Sequence, residues 1–268
     1  MIRNKRLRLI IVISGIFAVS CSNYQKVLKS DDYNLKYETA KEYYNKDDFF
    51  RALPLFEELV NIYKGTEKAE NLYYYFAYCH FGLGDYLMAR YHFKNFAGTF
   101  KNSEYTEECQ YMYAYCYYLS SPESSLDQSN TLKAIDAFQL FVNRYPGSDR
   151  VEKCNEYIDK LRLKLENKAF ENAKLYFNIG NYKAAIIALN NTVSDYPDID
   201  NKEDIDFLVL KSNYLLAVNS VEGKKLERFH SAIAAYNKFI DHYPESKMLR
   251  EAENIFESSL KNIENIKS

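Results

Sequence analysis

Five segments of the chain align on a single alanine, and this internal repeat constrains the fold more than any other feature of the sequence. The alanines are 37, 45, 51 and 47 residues apart: Ala52, Ala89, Ala134, Ala185 and Ala232. An apolar or aromatic residue follows four positions later in every segment: Phe56, Phe93, Phe138, Leu189 and Tyr236. An aromatic residue follows eleven positions later: Tyr63, Phe100, Tyr145, Tyr196 and Tyr243. These offsets trace one face of an α-helix, so each segment predicts one amphipathic helix.

A second helix is predicted upstream of each of these segments. Proline follows the eleventh position in three of the repeats (Pro146, Pro197 and Pro244) and cannot continue a helix. Gly84 and Gly180 stand where the upstream helix needs a left-handed C-cap, and Ala77 and Ala173 stand where two helices must approach closely. The chain is therefore predicted to form a series of helix-turn-helix units.

The pattern resembles the tetratricopeptide repeat, a unit of 34 residues built from two helices. Residues 70–101 match its small, glycine, aromatic and alanine positions with Ala77, Gly84, Tyr86, Ala89 and Phe93. Residues 166–197 match with Ala173, Gly180, Tyr182, Ala185 and Leu189. The resemblance implies an all-α fold, a tetratricopeptide-repeat α-solenoid with five repeats.

Two departures from the repeat divide the chain. Residues 120–130 have loop composition and hold an insertion of eight residues in the third repeat, and an additional helix is predicted over 149–165. The expected organisation is repeats one to three over 33–148, the connecting helix, and then repeats four and five with a C-terminal capping helix over 166–268.

The N-terminal residues 1–20 are read as a lipoprotein signal peptide. Four cations precede eleven apolar residues, 9–19, which at ~1.5 Å per residue cover about half of a ~30 Å hydrocarbon core. Small residues then precede Cys21, as in a bacterial lipobox. Cys21 is thus the predicted lipidation site, which would attach the mature chain to a lipid bilayer through a tether over 21–32. The alternative is an ordinary signal peptide in which Cys21 has no role.

The charge of the mature chain argues against nucleic acid as a partner. Residues 21–268 carry 31 Lys and Arg against 37 Asp and Glu, without long blocks of one sign.

The whole plan resembles the BamD family, lipoproteins of the β-barrel assembly machinery in the outer membrane. The segment from Tyr145-Pro146-Gly147-Ser148 through residues 157–162, Glu166 and 173–177 is similar to the family's stretch between repeats three and four. The resemblance implies an outer-membrane subunit that faces the periplasm. It also implies three kinds of partner: the β-barrel pore subunit with its POTRA domains, other assembly lipoproteins, and unfolded outer-membrane proteins.

A candidate peptide-binding groove follows from the repeat. In a tetratricopeptide superhelix, positions 2, 5, 9 and 12 of the first helix line the groove. These positions hold Asn71, Tyr74, Tyr78 and Phe81 in repeat two, and Glu108, Tyr111, Tyr115 and Tyr118 in repeat three. Tyrosines offer apolar area with a polar tip, which suits the C-terminal segment of an unfolded outer-membrane protein. The alternative is that neighbouring first helices bury these rings against each other.

Catalysis has no positive evidence in the sequence, and neither a cofactor nor a metal is predicted. Cys109 and Cys116 share a helix face and could form a metal or redox pair, but cysteine is commonly a small core residue. The favoured function is a binding scaffold. Two alternatives stay open: a tetratricopeptide adaptor lipoprotein of another envelope machine, and a surface glycan-binding lipoprotein.

Overall fold

The computed structural model describes residues 23–268, and every regular element in that range is a helix. The predicted all-α class is confirmed there. The signal peptide and Cys21 lie outside the described residues. A short helical stretch over 23–28 precedes the first long helix. No helix within the described range is long and apolar enough to cross a membrane.

The described chain forms two compact units, 23–122 with 129–158, and 123–128 with 159–268. The helices of unit 1 are α1 (Tyr33–Tyr44), α2 (Phe49–Ile62), α3 (Ala69–Gly82), α4 (Tyr86–Thr99), α5 (Thr106–Leu119) and α6 (Ser129–Arg144). Consecutive helices pack against each other, which gives the hairpins α1–α2, α3–α4 and α5–α6.

Unit 2 continues the series of hairpins. Its helices are the greater part of α7 (Val151–Asn178), then α8 (Tyr182–Asp195), α9 (Lys202–Val218), α10 (Glu222–His242) and α11 (Leu249–Lys267). The second half of α7 packs on α8 and α9 through a core that includes Phe170, Ala173 and Leu189. Helix α11 packs on α10 and is the last helix of the described range.

The alanines that align the repeats are all buried. Ala52, Ala89, Ala134 and Ala185 are fully buried, and Ala232 is almost so. Because an alanine side chain is small, two helix backbones can approach closely at these positions. The apolar residue four positions later is also fully buried in repeats one to four, so the repeat marks the core.

The turns within the hairpins repeat one local design. Gly84 and Gly180 adopt φ values of 75° and 77°, as predicted for left-handed C-caps. The next residue caps the following helix: the carboxylate of Asp85 accepts the amide hydrogen of Met88, and the side chain of Asn181 accepts that of Ala184. Local chemistry therefore ends one helix and begins the next.

One boundary differs from the sequence prediction. The sequence predicts a connecting helix over 149–165 with a new helix after it, whereas the structure has a single helix of 28 residues, Val151–Asn178. Neither glycine nor proline occurs in this span, so nothing in the chain interrupts the backbone hydrogen bonds.

Candidate functional site

The predicted groove residues of the second hairpin lie along α3. Tyr74, Tyr78 and Phe81 are spaced i, i+4 and i+7, so they share one helix face. The ring centroids of Tyr74 and Tyr78 are 4.8 Å apart, and those of Tyr78 and Phe81 are 6.2 Å apart. All three side chains are half-buried, while Asn71, one turn earlier, is exposed. The row is thus continuous along α3.

The predicted residues of the third hairpin form a parallel row on α5. Tyr111 stacks on Tyr115 with centroids 5.9 Å apart, and Tyr115 stacks on Tyr118 at the same distance. Glu108 lies one turn before Tyr111 and is half-buried, as are the three tyrosines.

The two rows meet and form one surface. Between the helices, the ring of Phe81 lies 6.2 Å from that of Tyr115, and the hydroxyl of Tyr78 donates a hydrogen bond of 2.5 Å to Oε1 of Glu108. Arg150 places its Nη2 3.7 Å from the same carboxylate oxygen. We call this the aromatic surface and define it by Tyr74, Tyr78, Phe81, Tyr111, Tyr115 and Tyr118.

Two further tyrosines extend the aromatic surface and were not predicted from the sequence. The ring of Tyr105 lies 4.4 Å from that of Tyr74, and the ring of Tyr157 lies 4.3 Å from that of Tyr118. Tyr157 belongs to the first turns of α7, which departs from the repeat, so no repeat position marks it. Only the packing of α7 on α5 and α6 brings it to this place.

The rings contact their neighbours and also keep part of their area exposed. Tyr115 and Tyr118 contact Tyr157 of α7, which matches the alternative that first helices bury these rings against each other. Yet none of the six side chains is fully buried. The packing holds the rings in place and leaves a partly apolar surface, so peptide binding there stays a prediction.

Three tyrosines of the aromatic surface, Tyr74, Tyr78 and Tyr111, have raised pKa values and keep their protons. Burial raises the pKa of Tyr74, Tyr78 and Tyr111 above the ordinary value for a phenol. For Tyr78, the hydrogen bond to Glu108 raises the pKa further, because losing the proton would place two negative charges side by side. The surface therefore presents apolar ring area and hydroxyl groups.

The cysteines pack as core residues. Cys79, Cys109, Cys116 and Cys154 are buried and free of disulfide bonds. Cys109 and Cys116 lie in the core around Phe93 and Phe96. Burial raises the pKa of the Cys116 thiol to about 12 and also raises that of Cys109. Because the thiolate is the nucleophile and the metal ligand, neither position suits redox or metal chemistry.

Metal binding has no further support in the described range. No group of three or more histidine, cysteine, aspartate or glutamate residues in 23–268 is arranged to hold a metal ion.

The structure does bring together two histidines whose contact the sequence does not predict. His80 and His92 stack with ring centroids 5.0 Å apart inside the α3–α4 hairpin.

One protein-family model matches most of the chain. The model of the outer membrane lipoprotein family YfiO matches residues 29–228. The chain belongs to this family. A tetratricopeptide-repeat model also matches residues 214–246, which cover the end of α9 and all of α10. The YfiO-family chain is therefore an outer membrane lipoprotein built from tetratricopeptide repeats, and both matched families are of the scaffold type.

No curated protein matches the chain. Among solved structures, the tetratricopeptide domain of P58(IPK) has 13% identity and a TM-score of 0.41, over 89% of this chain and 68% of that one. The TPR2AB domain of yeast Sti1, solved in complex with pHSP90, has 11% identity and a TM-score of 0.38, over 85% and 98%. These similarities are too distant to add to what the family match states.

Proposed function

We propose that this chain is a scaffold subunit of the β-barrel assembly complex, anchored to the outer membrane by lipids on Cys21 and facing the periplasm. It binds the β-barrel pore subunit through the POTRA domains of that subunit and receives unfolded outer-membrane proteins. The observation that carries the peptide-binding part is the aromatic surface of unit 1.

The aromatic surface has the properties that an extended peptide ending in an aromatic residue requires. Its rings are partly exposed, and contacts along and between α3 and α5 fix their positions. A surface that is already ordered loses little side-chain entropy on binding. The hydroxyl oxygens can accept hydrogen bonds from backbone amides of the peptide, and the ring faces can stack on its terminal aromatic side chain.

The anchor rests on the sequence before residue 22 and on the family. A cysteine that follows a basic start, eleven apolar residues and a small-residue site is the acceptor in bacterial lipoproteins, and the matched family consists of outer membrane lipoproteins. Two or more acyl chains give stable anchoring, because each buried CH₂ contributes ~0.8 kcal/mol. Mass spectrometry of the chain from the membrane fraction should find a mature N-terminus at Cys21 that carries acyl chains; an unmodified thiol at that N-terminus would contradict the anchor.

A peptide-binding measurement tests the aromatic surface. The probe is a fluorescent peptide of ten residues with a C-terminal phenylalanine and a free carboxylate, titrated with the full chain in detergent. We expect the triple variant Tyr74→Ala, Tyr78→Ala and Tyr115→Ala to bind at least tenfold more weakly. Tyr176→Ala, on an exposed tyrosine of unit 2, is the matched control and should bind normally. A circular dichroism melt shows whether the variants fold, and equal affinity of the folded triple variant would sink the proposed site.

Affinity purification from solubilised envelopes tests the complex. Recovery of a barrel protein with POTRA domains supports the assembly complex. Recovery of cell-division or secretion components instead would favour the adaptor of another envelope machine, since such an adaptor would share the same repeats and anchor.

A further inference from the structure

A groove lies in unit 1 between α4 and α6, with α5 as its floor, and it encloses about 340 Å³. Lys94 and Gly98 of α4 form one wall together with Lys101, which follows the end of that helix. Leu140 and Arg144 of α6 form the other wall, and Tyr113 of α5 lies at the floor. We call this the basic groove.

The basic groove is separate from the aromatic surface. Tyr113 differs by two positions from both Tyr111 and Tyr115, which corresponds to about 200° around a helix of 3.6 residues per turn. Helix α5 therefore presents Tyr113 to the groove and the two other tyrosines to the opposite side. A ligand of the groove would not compete directly for the aromatic surface.

The charge of the groove has one sign. Three of the residues that line it are cations, and no acidic residue of the described chain lines it. The Nζ atom of Lys94 lies 5.7 Å from the ring centroid of Tyr113, so one cation is held at the floor. Lys94 on α4 and Lys101 after the end of that helix lie on one wall, and Arg144 faces them from the other. On a chain with a net charge of −2, this is a local site for an anion with several charges.

The shape of the groove leaves room for an apolar side chain. A Cβ atom added to Gly98 would meet no atom within 4 Å, so this wall is open. Leu140 on the opposite wall is 62% exposed. Ala97 and Phe141 continue the apolar lining. An apolar side chain between Gly98 and Leu140 would bury area that water now covers.

We propose that the basic groove binds an acidic segment of a partner protein. Carboxylates of the segment pair with Lys94, Lys101 and Arg144, and one large apolar side chain lies between Gly98 and Leu140. The concave shape favours a protein segment over a bilayer surface, because a flat array of lipid headgroups cannot reach Tyr113 at the floor. This inference does not depend on the proposed role in β-barrel assembly.

The test uses variants that close the groove or reverse its charge. Gly98→Leu fills the open wall, and it replaces glycine inside a helix by a better helix former, so the fold should be retained. Lys94→Glu with Arg144→Glu reverses the charge. The matched controls lie in unit 2: Gly223→Leu, at another helical glycine with open space, and Lys183→Glu, at an exposed lysine of α8. Thermal melts confirm that all variants fold.

The probe is a random library of displayed 12-residue peptides, selected on the full chain in detergent. Clones that bind the wild-type chain but not Gly98→Leu are sequenced, synthesised and titrated by fluorescence anisotropy. We expect these peptides to be rich in Asp and Glu around a Leu or an aromatic residue. Their Kd should rise at least tenfold in both groove variants and stay within twofold in both controls.

Three outcomes would overturn the proposal. The first is that no clone distinguishes wild type from Gly98→Leu, and the second is that the clones that do so are not acidic. The third concerns vesicles that contain phosphatidylglycerol. If these vesicles bind the wild-type chain but not the charge-reversed variant, and no acidic peptide shows this difference, then the groove binds a membrane.

Discussion

The hydroxyl of Tyr78 donates a hydrogen bond of 2.5 Å to the carboxylate of Glu108, which joins α3 to α5 at the centre of the aromatic surface. Removing the hydroxyl in Tyr78→Phe keeps the ring and its contact with Phe93. Since hydrogen bonds to charged groups are stronger than neutral ones, we expect a loss of about 1–2 kcal/mol in the free energy of unfolding. Urea unfolding followed by circular dichroism measures it.

Tyr91→Phe is the control for this prediction. Tyr91 is an exposed tyrosine of α4, so the loss of its hydroxyl should change the unfolding midpoint little. If Tyr78→Phe and Tyr91→Phe unfold at the same urea concentration, the bond between Tyr78 and Glu108 does not stabilise the fold.

The stacked pair of His80 and His92 makes stability depend on pH. Burial lowers the pKa of His92 from 6.5 to about 4 and also lowers that of His80, although Asp85 opposes the lowering at His80. A histidine whose pKa is lower in the folded state leaves the free energy of unfolding at its full value above pH 6.5, where it is neutral in both states. That stability falls between pH 6.5 and 4, by roughly 1.4 kcal/mol for each pH unit that separates the folded and unfolded pKa values, because the unfolded chain takes up the proton first.

The variant His92→Gln tests this dependence. Its unfolding free energy should decline less steeply between pH 6.5 and 4 than that of the wild-type chain. His230→Gln replaces an exposed histidine of α10 and should keep the wild-type slope. Identical slopes for His92→Gln and wild type would show that other groups cause the acid sensitivity.

Local chemistry explains why most helices could be predicted from the sequence. A buried alanine, an apolar residue four positions later and a capped glycine turn are all set within one hairpin, so Ala89, Phe93 and Gly84 mark the same elements in the sequence and in the structure. The end of α7 could not be predicted this way. An amphipathic helix without glycine or proline carries no local signal that says whether it stops at 165 or continues to Asn178.

The candidate site was predictable only within each helix. The i, i+4, i+7 spacing predicts the rows on α3 and α5, but the meeting of Phe81 with Tyr115 depends on how the two hairpins pack. Tyr157 joins from a helix outside the repeat. The stacking of His80 on His92 depends on the angle between α3 and α4, which spacing along the chain does not fix.

Gly82 is required because the ring of Phe49, at the start of α2, lies against the C-terminal end of α3. A Cβ atom at this position would overlap the ring of Phe49. Replacing a helical glycine by alanine ordinarily stabilises a helix by up to about 1 kcal/mol. Here the overlap forces a shift that costs about 1–3 kcal/mol, so Gly82→Ala should lower the melting temperature.

Two further variants separate the overlap from the general effect of alanine. Gly98→Ala has open space around the added methyl group and should raise the melting temperature. Phe49→Leu in the Gly82→Ala background should recover part of the lost stability, because it removes the ring. A Gly82→Ala protein that melts like Gly98→Ala would rule out the close approach.

Lys168 of α7 holds part of the insertion of the third repeat, residues 123–128, by donating hydrogen bonds to its backbone carbonyl groups. Both Lys168 and these residues belong to unit 2. The Nζ atom of Lys168 donates to the carbonyl oxygens of Leu126 at 2.6 Å and Ser124 at 3.1 Å. The amide of Leu126 is itself bonded to the carbonyl of Glu123. Lys168→Met keeps an unbranched side chain but removes the donor. The free energy for local opening of 123–128 should fall by about 1 kcal/mol, which makes hydrogen exchange at Leu126 about fivefold faster.

Hydrogen exchange read by NMR or by mass spectrometry of peptides that cover 123–128 measures this change. Lys183→Met, on an exposed lysine of α8, is the control and should leave exchange in the insertion unchanged. The insertion lies between α5 and α6 in the chain but belongs to unit 2, and Lys168 is one charged residue of that unit that contacts it. Exchange at Leu126 that is equally slow in Lys168→Met would mean that bonds within the loop, such as those from the side-chain amide of Gln128, suffice to hold it.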